Sequence, residues 1–198
     1  MKYKRSYGNK KYKSIFHILT EGRLTEPSYI ATIKRQPWFS SDYISKHYTP
    51  KHSSIPGLLK KAEDISSQVR EGDQLWVILD RDEQSNTLEQ LKKLGQWERE
   101  NPSQHVALSN PRFEYWLLLH FEKNPTPQNA NSDVYMNRYF HEYDKKKDVK
   151  GSASVLNKDN VREAINRACK SNYPTCDNPD CVGSGMGYMM EQLLTLTN

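Results

Sequence analysis

The chain contains an apolar run that ends in two carboxylates, Asp73-Gln-Leu-Trp-Val-Ile-Leu-Asp80-Arg-Asp82-Glu83. The residues from Leu75 to Leu79 follow one another without a polar break, which is typical of a buried strand in a parallel sheet. Because side chains alternate along a strand, Asp80 and Asp82 are expected to point the same way where the strand ends. Open α/β sheets bind their ligands just beyond the carboxyl ends of the strands. The run therefore predicts a ligand site at this edge.

Two interpretations of this Asp-x-Asp pair are open. Two carboxylates on one face repel each other unless a cation lies between them, and hard oxygen ligands suit Mg²⁺ or Mn²⁺. This favours a divalent-metal site. Alternatively, Asp80 caps the following helix, with Asp82 and Glu83 in its first turn, where the helix dipole favours acidic residues.

A second acidic turn earlier in the chain favours the metal interpretation. Ser14 to Thr20 reads as the first strand and is followed directly by Glu21 and by Gly22, which permits a tight turn. A helix is predicted to begin after this turn, with Thr25 as its N-cap and Pro27 in its first turn. The sequence thus places a second carboxylate at the end of a strand.

The order of the predicted elements gives the fold class. Four strands alternate with four helices, which indicates an α/β fold with a mostly parallel sheet flanked by helices on both faces. The predicted strands are 14–20, 42–49, 73–80 and 105–108, and the helices after the first are 54–70, 87–100 and 113–121. We expect a basic arm at 1–13, a core at 14–123 and a helical extension at 124–198 packed on the core, including an aromatic helical stretch from Tyr135 to Tyr143.

Charge and composition indicate the class of partner and the compartment. The net charge is +5, which is compatible with a polyanionic partner. Lysines of the arm, among them Lys10, Lys11 and Lys13, alternate with tyrosines and could lie along phosphates, although a solvated, frayed terminus has the same composition. No run approaches the roughly 18 to 20 apolar residues of a membrane span. Without the apolar core of a signal peptide, the expected compartment is the cytoplasm.

The cysteines indicate little. Cys169, Cys176 and Cys181 follow a C-x6-C-x4-C spacing, which matches no common zinc pattern. Disulfides are not expected in the cytosol, so plain thiols are the expectation and structural zinc the alternative.

Three segments together resemble the RloB family. These are FHILTEGRLTEPSYI at 16–30, LWVILDRDE at 75–83 and VALSNPRFEYWLLLHFE at 106–122. The resemblance implies a Toprim-like fold in which Glu21, Asp80 and Asp82 bind Mg²⁺ or Mn²⁺. It also implies an abortive-infection effector of antiviral defence that cleaves RNA such as tRNA, often beside a companion ATPase. Arg23 departs from the acidic residue that many relatives have, which changes the local charge and leaves the metal-binding triad intact.

Five carboxylates are therefore the candidate catalytic residues: Glu21, Glu26, Asp80, Asp82 and Glu114. Glu21 could also act as the general base, and Glu26 could hydrogen-bond Arg81 or reach the metal through water. Glu114 is either a supporting acid or the partner of a buried donor, whereas His120 is predicted to be a core histidine. Candidate contacts to nucleic acid are Lys10, Lys11, Lys13, Asn110, Lys145, Lys146 and Lys147.

Two other functions use the same residues. One is a non-enzymatic Toprim-like module that binds nucleic acid or an ATPase, although intact carboxylates at all three positions disfavour it. The other is nucleotidyl transfer, for which the chain is short. The sequence is compatible with a homo-oligomer.

Overall fold

The protein contains a five-stranded, mostly parallel sheet. A computed structural model describes residues 14–48, 54–81, 87–150, 152, 154–169 and 172–197. The strands are β1 (Phe16–Thr20), β2 (Ile44–Tyr48), β3 (Gln74–Asp80), β4 (Gln104–Asn110) and β5 (Gly183–Ser184), in the spatial order β2-β1-β3-β4-β5. The first four strands pair in parallel, and β5 pairs antiparallel with β4. The predicted strands and their parallel arrangement are confirmed.

In the described part of the chain, three α-helices connect the parallel strands, and the other α-helices follow β4. The connecting helices are α1 (Thr25–Lys34), α2 (Ile55–Ser66) and α3 (Leu88–Glu100). The others are α4 (Glu114–Leu119), α5 (Pro127–Ala130), α6 (Asp133–Met136), α7 (Tyr143–Lys146), α8 (Lys158–Cys169) and α9 (Met186–Thr197), and a 3₁₀ helix (Ser41–Tyr43) precedes β2. None of the helices in the described part of the chain is both long and apolar enough to cross a membrane.

Side-chain alternation along the strands divides the core into two layers. Trp76 and Ile78 of β3 pack with apolar residues of α1, α4, α8 and α9 on one face of the sheet. Leu75, Val77 and Leu79 pack with α2 and α3 on the other face. Helices on both faces are what the sequence predicts, because an apolar run buried on both sides needs cover on both sides.

The N-terminus of α1 differs from the prediction. Thr25 is the first residue of the helix rather than its cap, and Leu24 occupies the cap position without a side-chain hydrogen bond. The Thr25 hydroxyl instead donates to the carbonyl of Lys147 at 3.0 Å and lies 3.1 Å from the Tyr143 hydroxyl. The N-cap prediction was wrong because this hydroxyl makes a tertiary contact with the helical extension.

The extension is more irregular than predicted. The expected aromatic helix is divided into α6 and α7 by turns at 137–142, and Glu142 adopts a left-handed conformation with φ 54° immediately before α7. The extension also contributes β5, which the sequence analysis did not predict. Gly185, next to β5, lies so close to β4 that a Cβ there would be 3.1 Å from Ala107 Cα.

Candidate functional site

The two acidic turns meet at the carboxyl edge of the sheet. Glu21 follows β1 and Asp80 ends β3, and these two strands are neighbours. The backbone N–H of Glu21 donates to the Ile78 carbonyl at 2.9 Å, and the Glu21 carboxylate accepts from the Asp80 N–H at 3.2 Å. The parallel register therefore brings together two carboxylates that are 59 residues apart in the chain.

Glu26 is a third carboxylate at this edge. It lies in the first turn of α1, where its Oε1 accepts from the Gly22 N–H at 3.1 Å, and the side chain is buried. A Cβ at Gly22 would lie 2.6 Å from the Glu26 carboxyl carbon. The glycine after β1 is therefore what allows the carboxylate to fold back against the turn.

A fourth carboxylate, Glu114, is held by an arginine that the sequence analysis missed. Arg112 donates from Nε and Nη2 to the two Glu114 oxygens at 2.5 and 2.6 Å, and the Tyr143 hydroxyl also donates to Glu114. The sequence offered one indication, because a carboxylate on a buried helix needs a partner. Glu114 thus has the buried-donor partnership that was one of its two predicted roles.

Glu26, Asp80, Arg112 and Glu114 line one cleft of about 580 Å³. Its walls come from the turn after β1, from α1, from the end of β3, from the segment before α4 and from the extension. The lining residues are Gly22, Thr25, Glu26, Asp80, Arg81, Pro111, Arg112, Phe113, Glu114, Asn131 and Lys147. The cleft lies beyond the carboxyl ends of the strands, where open α/β sheets bind ligands.

The clustering of acids disfavours their charged forms. Burial raises the pKa of Asp80 well above its usual value, and the nearby charges of Glu26, Glu114 and Glu21 raise it further. Burial, together with Glu114, also raises the pKa of Glu26. Arg112 acts in the opposite direction on both groups. The cleft consequently favours a bound positive charge or proton.

The donor chemistry fits a hard divalent cation. Glu21 and Asp80 supply the carboxylate oxygens that Mg²⁺ and Mn²⁺ prefer. Among the residues that the structure describes, no group of three or more His, Cys, Asp or Glu side chains is placed to hold a metal ion. The third predicted ligand, Asp82, lies outside the described residues, so the complete triad stays a prediction.

The predicted basic residues separate into different environments. Lys147 lines the cleft, and its Nζ lies 3.0 Å from Asp133. Lys145 and Lys146 are exposed and form ion pairs with Glu142 at 3.6 and 2.5 Å. Lys10, Lys11 and Lys13 fall outside the described residues. Lys147 is thus the one described lysine of the predicted set that lines the cleft.

A loop of the extension covers the end of β4 beside the cleft. Asn110 donates from Nδ2 to the Pro179 carbonyl at 3.1 Å, and Arg81 pairs with Asp180 at 3.2 Å. The described contact of Asn110 is thus structural, and its contact with nucleic acid stays a prediction.

The three cysteines lie in the extension as free thiols. Cys176 is buried, Cys181 is partly exposed and Cys169 is exposed.

His120 lies in the core, as predicted. It is buried, its Nδ1 is 3.0 Å from the Trp116 carbonyl, and its Nε2 is 3.2 Å from the Tyr29 hydroxyl. This arrangement suits a neutral ring that donates from Nδ1 and accepts at Nε2. Burial lowers the pKa of His120 to about 4.

Comparison with known proteins gives one assignment. A search of curated proteins and a search of solved structures each found no match. The family described as RloB-like protein matches residues 16–193 of the 198. This match includes both acidic turns, the segment with Arg112 and Glu114, and almost all of the helical extension. The chain therefore belongs to the RloB-like protein family.

Proposed function

We propose that the protein is a divalent-metal-dependent nuclease that cleaves RNA, such as tRNA, as an effector of antiviral defence. The observation that carries the proposal is the meeting of Glu21 and Asp80 at the carboxyl edge of the sheet, with Glu26 and Glu114 in the adjoining cleft. Buried like charges are costly unless a cation or proton neutralises them. A structural site would have little reason to keep them together.

Glu21, Asp80 and Asp82 would hold the ion, either Mg²⁺ or Mn²⁺. When bound, the ion would supply Lewis-acid charge next to a phosphodiester and favour ionisation of a water. The choice of nuclease over other metal chemistry draws on the family resemblance and on the basic residues of the chain. The place in abortive infection and the companion ATPase draw on the resemblance alone.

The chain's own residues provide the remaining functions. Glu26 is buried beside this edge and is oriented by the Gly22 N–H, and in its ionised form it would accept the proton of an attacking water. Glu21 is fixed by the Asp80 N–H, so its carboxylate is oriented before substrate arrives. The walls formed by α1 and the segment before α4 would position a substrate against this edge.

The test is a cleavage assay with total tRNA and plasmid DNA in Mg²⁺, Mn²⁺ or EDTA, with the cut ends mapped. The Asp82→Ala variant should lose the metal-dependent cuts, whereas Asp64→Ala, which removes an exposed carboxylate of α2, should keep them. Equal cutting by the Asp82→Ala variant would contradict the proposal. Retention of nucleic acid without cleavage, also after addition of a candidate ATPase, would favour the binding module instead.

A further inference from the structure

The guanidinium of Arg112 has hydrogen-bonding capacity that the protein does not use. Nε donates to Glu114, and Nη2 donates to both Glu114 and Asp133. A guanidinium carries five N–H donors, two of them on Nη1. No residue in the described part of the chain accepts a hydrogen bond from Nη1. Arg112 therefore lines the cleft with two donors still available.

The position of this guanidinium is fixed in advance. Glu114 holds it side-on through two hydrogen bonds, and Glu114 is itself buried and bonded to Tyr143. About a quarter of the Arg112 side chain (26%) is exposed, so a ligand in the cleft can reach it. A planar, oriented guanidinium with free donors matches the geometry of phosphate oxygens.

Lys147 supplies a second cation close to the first. Its backbone lies in the left-handed region, with φ 45°, and its carbonyl accepts from the Thr25 hydroxyl. Such a conformation is unfavourable for a non-glycine residue and persists when the surroundings enforce it. Here the contact with α1 keeps Lys147 at the cleft.

One carboxylate already bridges the two cations. Asp133 accepts from Arg112 Nη2 at 2.7 Å through one oxygen and lies 3.0 Å from Lys147 Nζ through the other. The two cations are thus spaced so that a single anion with two oxygens can contact both. A phosphodiester presents two non-bridging oxygens of the same kind.

We propose that Arg112 and Lys147 form a phosphate subsite that binds the nucleic-acid backbone beside the carboxylate edge, and that Asp133 competes with this phosphate. The inference rests on the proposed function, since it names the groups that would hold the substrate there. Asp133 would then limit the affinity of the subsite for the nucleic-acid backbone. Removal of Asp133 should therefore strengthen binding, which is a result that a damaged fold would not give.

The experiment measures binding by fluorescence anisotropy in EDTA, so that cleavage does not interfere. The probes are fluorescein-labelled total tRNA and a labelled DNA duplex, each at several salt concentrations. Lys147→Gln should weaken binding about tenfold and reduce the salt dependence by roughly one phosphate contact. Asp133→Asn should tighten binding about threefold or more, since a competing charge is removed.

Two matched variants control for net charge. Lys60→Gln and Glu63→Gln remove one charge of each sign from the exposed side of α2, which packs on the opposite face of the sheet. Charges more than about 8 Å from the ligand are largely screened at physiological salt. These two variants should change affinity less than about twofold, in contrast to the cleft variants.

Arg112 needs a variant that preserves the fold. Arg112→Gln alone leaves Glu114 buried without its partner, so the Arg112→Gln/Glu114→Gln double variant is used, with circular dichroism to verify folding. This folded variant should lose about tenfold or more in affinity, as expected for a charge-assisted contact.

The outcomes separate the inference from the proposed function. The subsite would be overturned if Lys147→Gln and the Arg112→Gln/Glu114→Gln double variant bound the probes with wild-type affinity and salt dependence. It would also be overturned if the α2 control variants changed affinity as much as the cleft variants, or if the wild type bound neither probe. Effects on tRNA alone or on DNA alone support the subsite and identify the nucleic acid. If the cleft variants weaken binding but no metal-dependent cleavage exists, the nuclease proposal fails and the subsite stands.

Discussion

Two aspartates flank the same strand, and their surroundings are opposite. Asp73 precedes β3, and its carboxylate accepts from the Ile15 N–H at 2.9 Å and the Arg70 N–H at 3.4 Å, with His17 Nε2 at 3.5 Å. Asp80 ends β3, and three other carboxylates contribute to raising its pKa. Hydrogen-bond donors surround the Asp73 carboxylate, whereas other carboxylates surround the Asp80 carboxylate. The contrast distinguishes a carboxylate whose contacts stabilise the fold from one that we propose binds a metal ion.

Substitutions at the two ends of β3 are expected to differ most in their effect on cleavage activity. Asp80→Asn should reduce metal-dependent cleavage about a thousandfold or more, because it removes a proposed ligand of the ion. Asp73→Asn should leave the cleavage rate of the folded protein unchanged. The measurement is the initial rate of cleavage of tRNA in Mn²⁺ at matched concentrations of folded protein. Similar losses in both variants would remove the distinction between the two ends.

A pH effect on stability is expected from His120, a buried group that has its hydrogen-bond partners. Burial holds the pKa of the folded-state His120 at about 4, whereas the unfolded chain takes up this proton below about 6.5. The stability contribution is therefore complete above pH 6.5 and is lost as the pH falls towards 4. The loss is about 3 kcal/mol, from the size of the pKa difference.

Urea unfolding at pH 7 and at pH 4.5 tests this effect. The His120→Gln variant should lose much of the difference in unfolding free energy between the two pH values. His141→Gln, which removes an exposed histidine, should retain it. If His120→Gln keeps the full wild-type pH dependence, other groups cause it.

The next effect concerns stability at the amino end of β3. Asp73→Asn should lower the free energy of unfolding by about 2 kcal/mol, because charge-assisted hydrogen bonds from backbone N–H groups are weakened in a buried place. Chemical unfolding at pH 7 in EDTA measures this loss. An unchanged unfolding free energy would show that the contacts of Asp73 contribute little.

The smallest effect has the opposite sign. In EDTA at pH 7, Asp80→Asn should raise the free energy of unfolding by about 1 kcal/mol, since a buried charge among like charges is removed. The same unfolding assay compares this variant with Asp73→Asn. Destabilisation by both substitutions would mean that the carboxyl edge is built for stability, as the amino edge is.

Much of the sheet could be predicted because its strands have strong local patterns. The unbroken apolar run of β3 identified a buried strand, and the alternation of strands and helices gave the parallel arrangement. The two-residue strand β5 has no such pattern, and only its packing against β4 defines it. The aromatic stretch is divided into α6 and α7 by turns at 137–142, which include the left-handed backbone of Glu142, and propensity does not predict them.

The candidate site could be predicted where it follows the strand ends, and less well where distant segments contribute. Glu21 and Asp80 meet because the ends of neighbouring parallel strands meet. Arg112 was missed because its local contact with Glu114 has no sequence signature and its contact with Asp133 joins segments that are 21 residues apart. Lys147 was grouped with two neighbouring lysines, and only the fold separates it from them.

The most direct test of the central claim is titration calorimetry of Mn²⁺ into the wild type, Asp80→Asn and Asp73→Asn at pH 7. If the carboxyl edge is a divalent-metal site, the wild type and the Asp73→Asn variant should bind Mn²⁺ with the same affinity, and the Asp80→Asn variant should show no such binding. Equal binding by all three proteins, or binding by none, would contradict the claim.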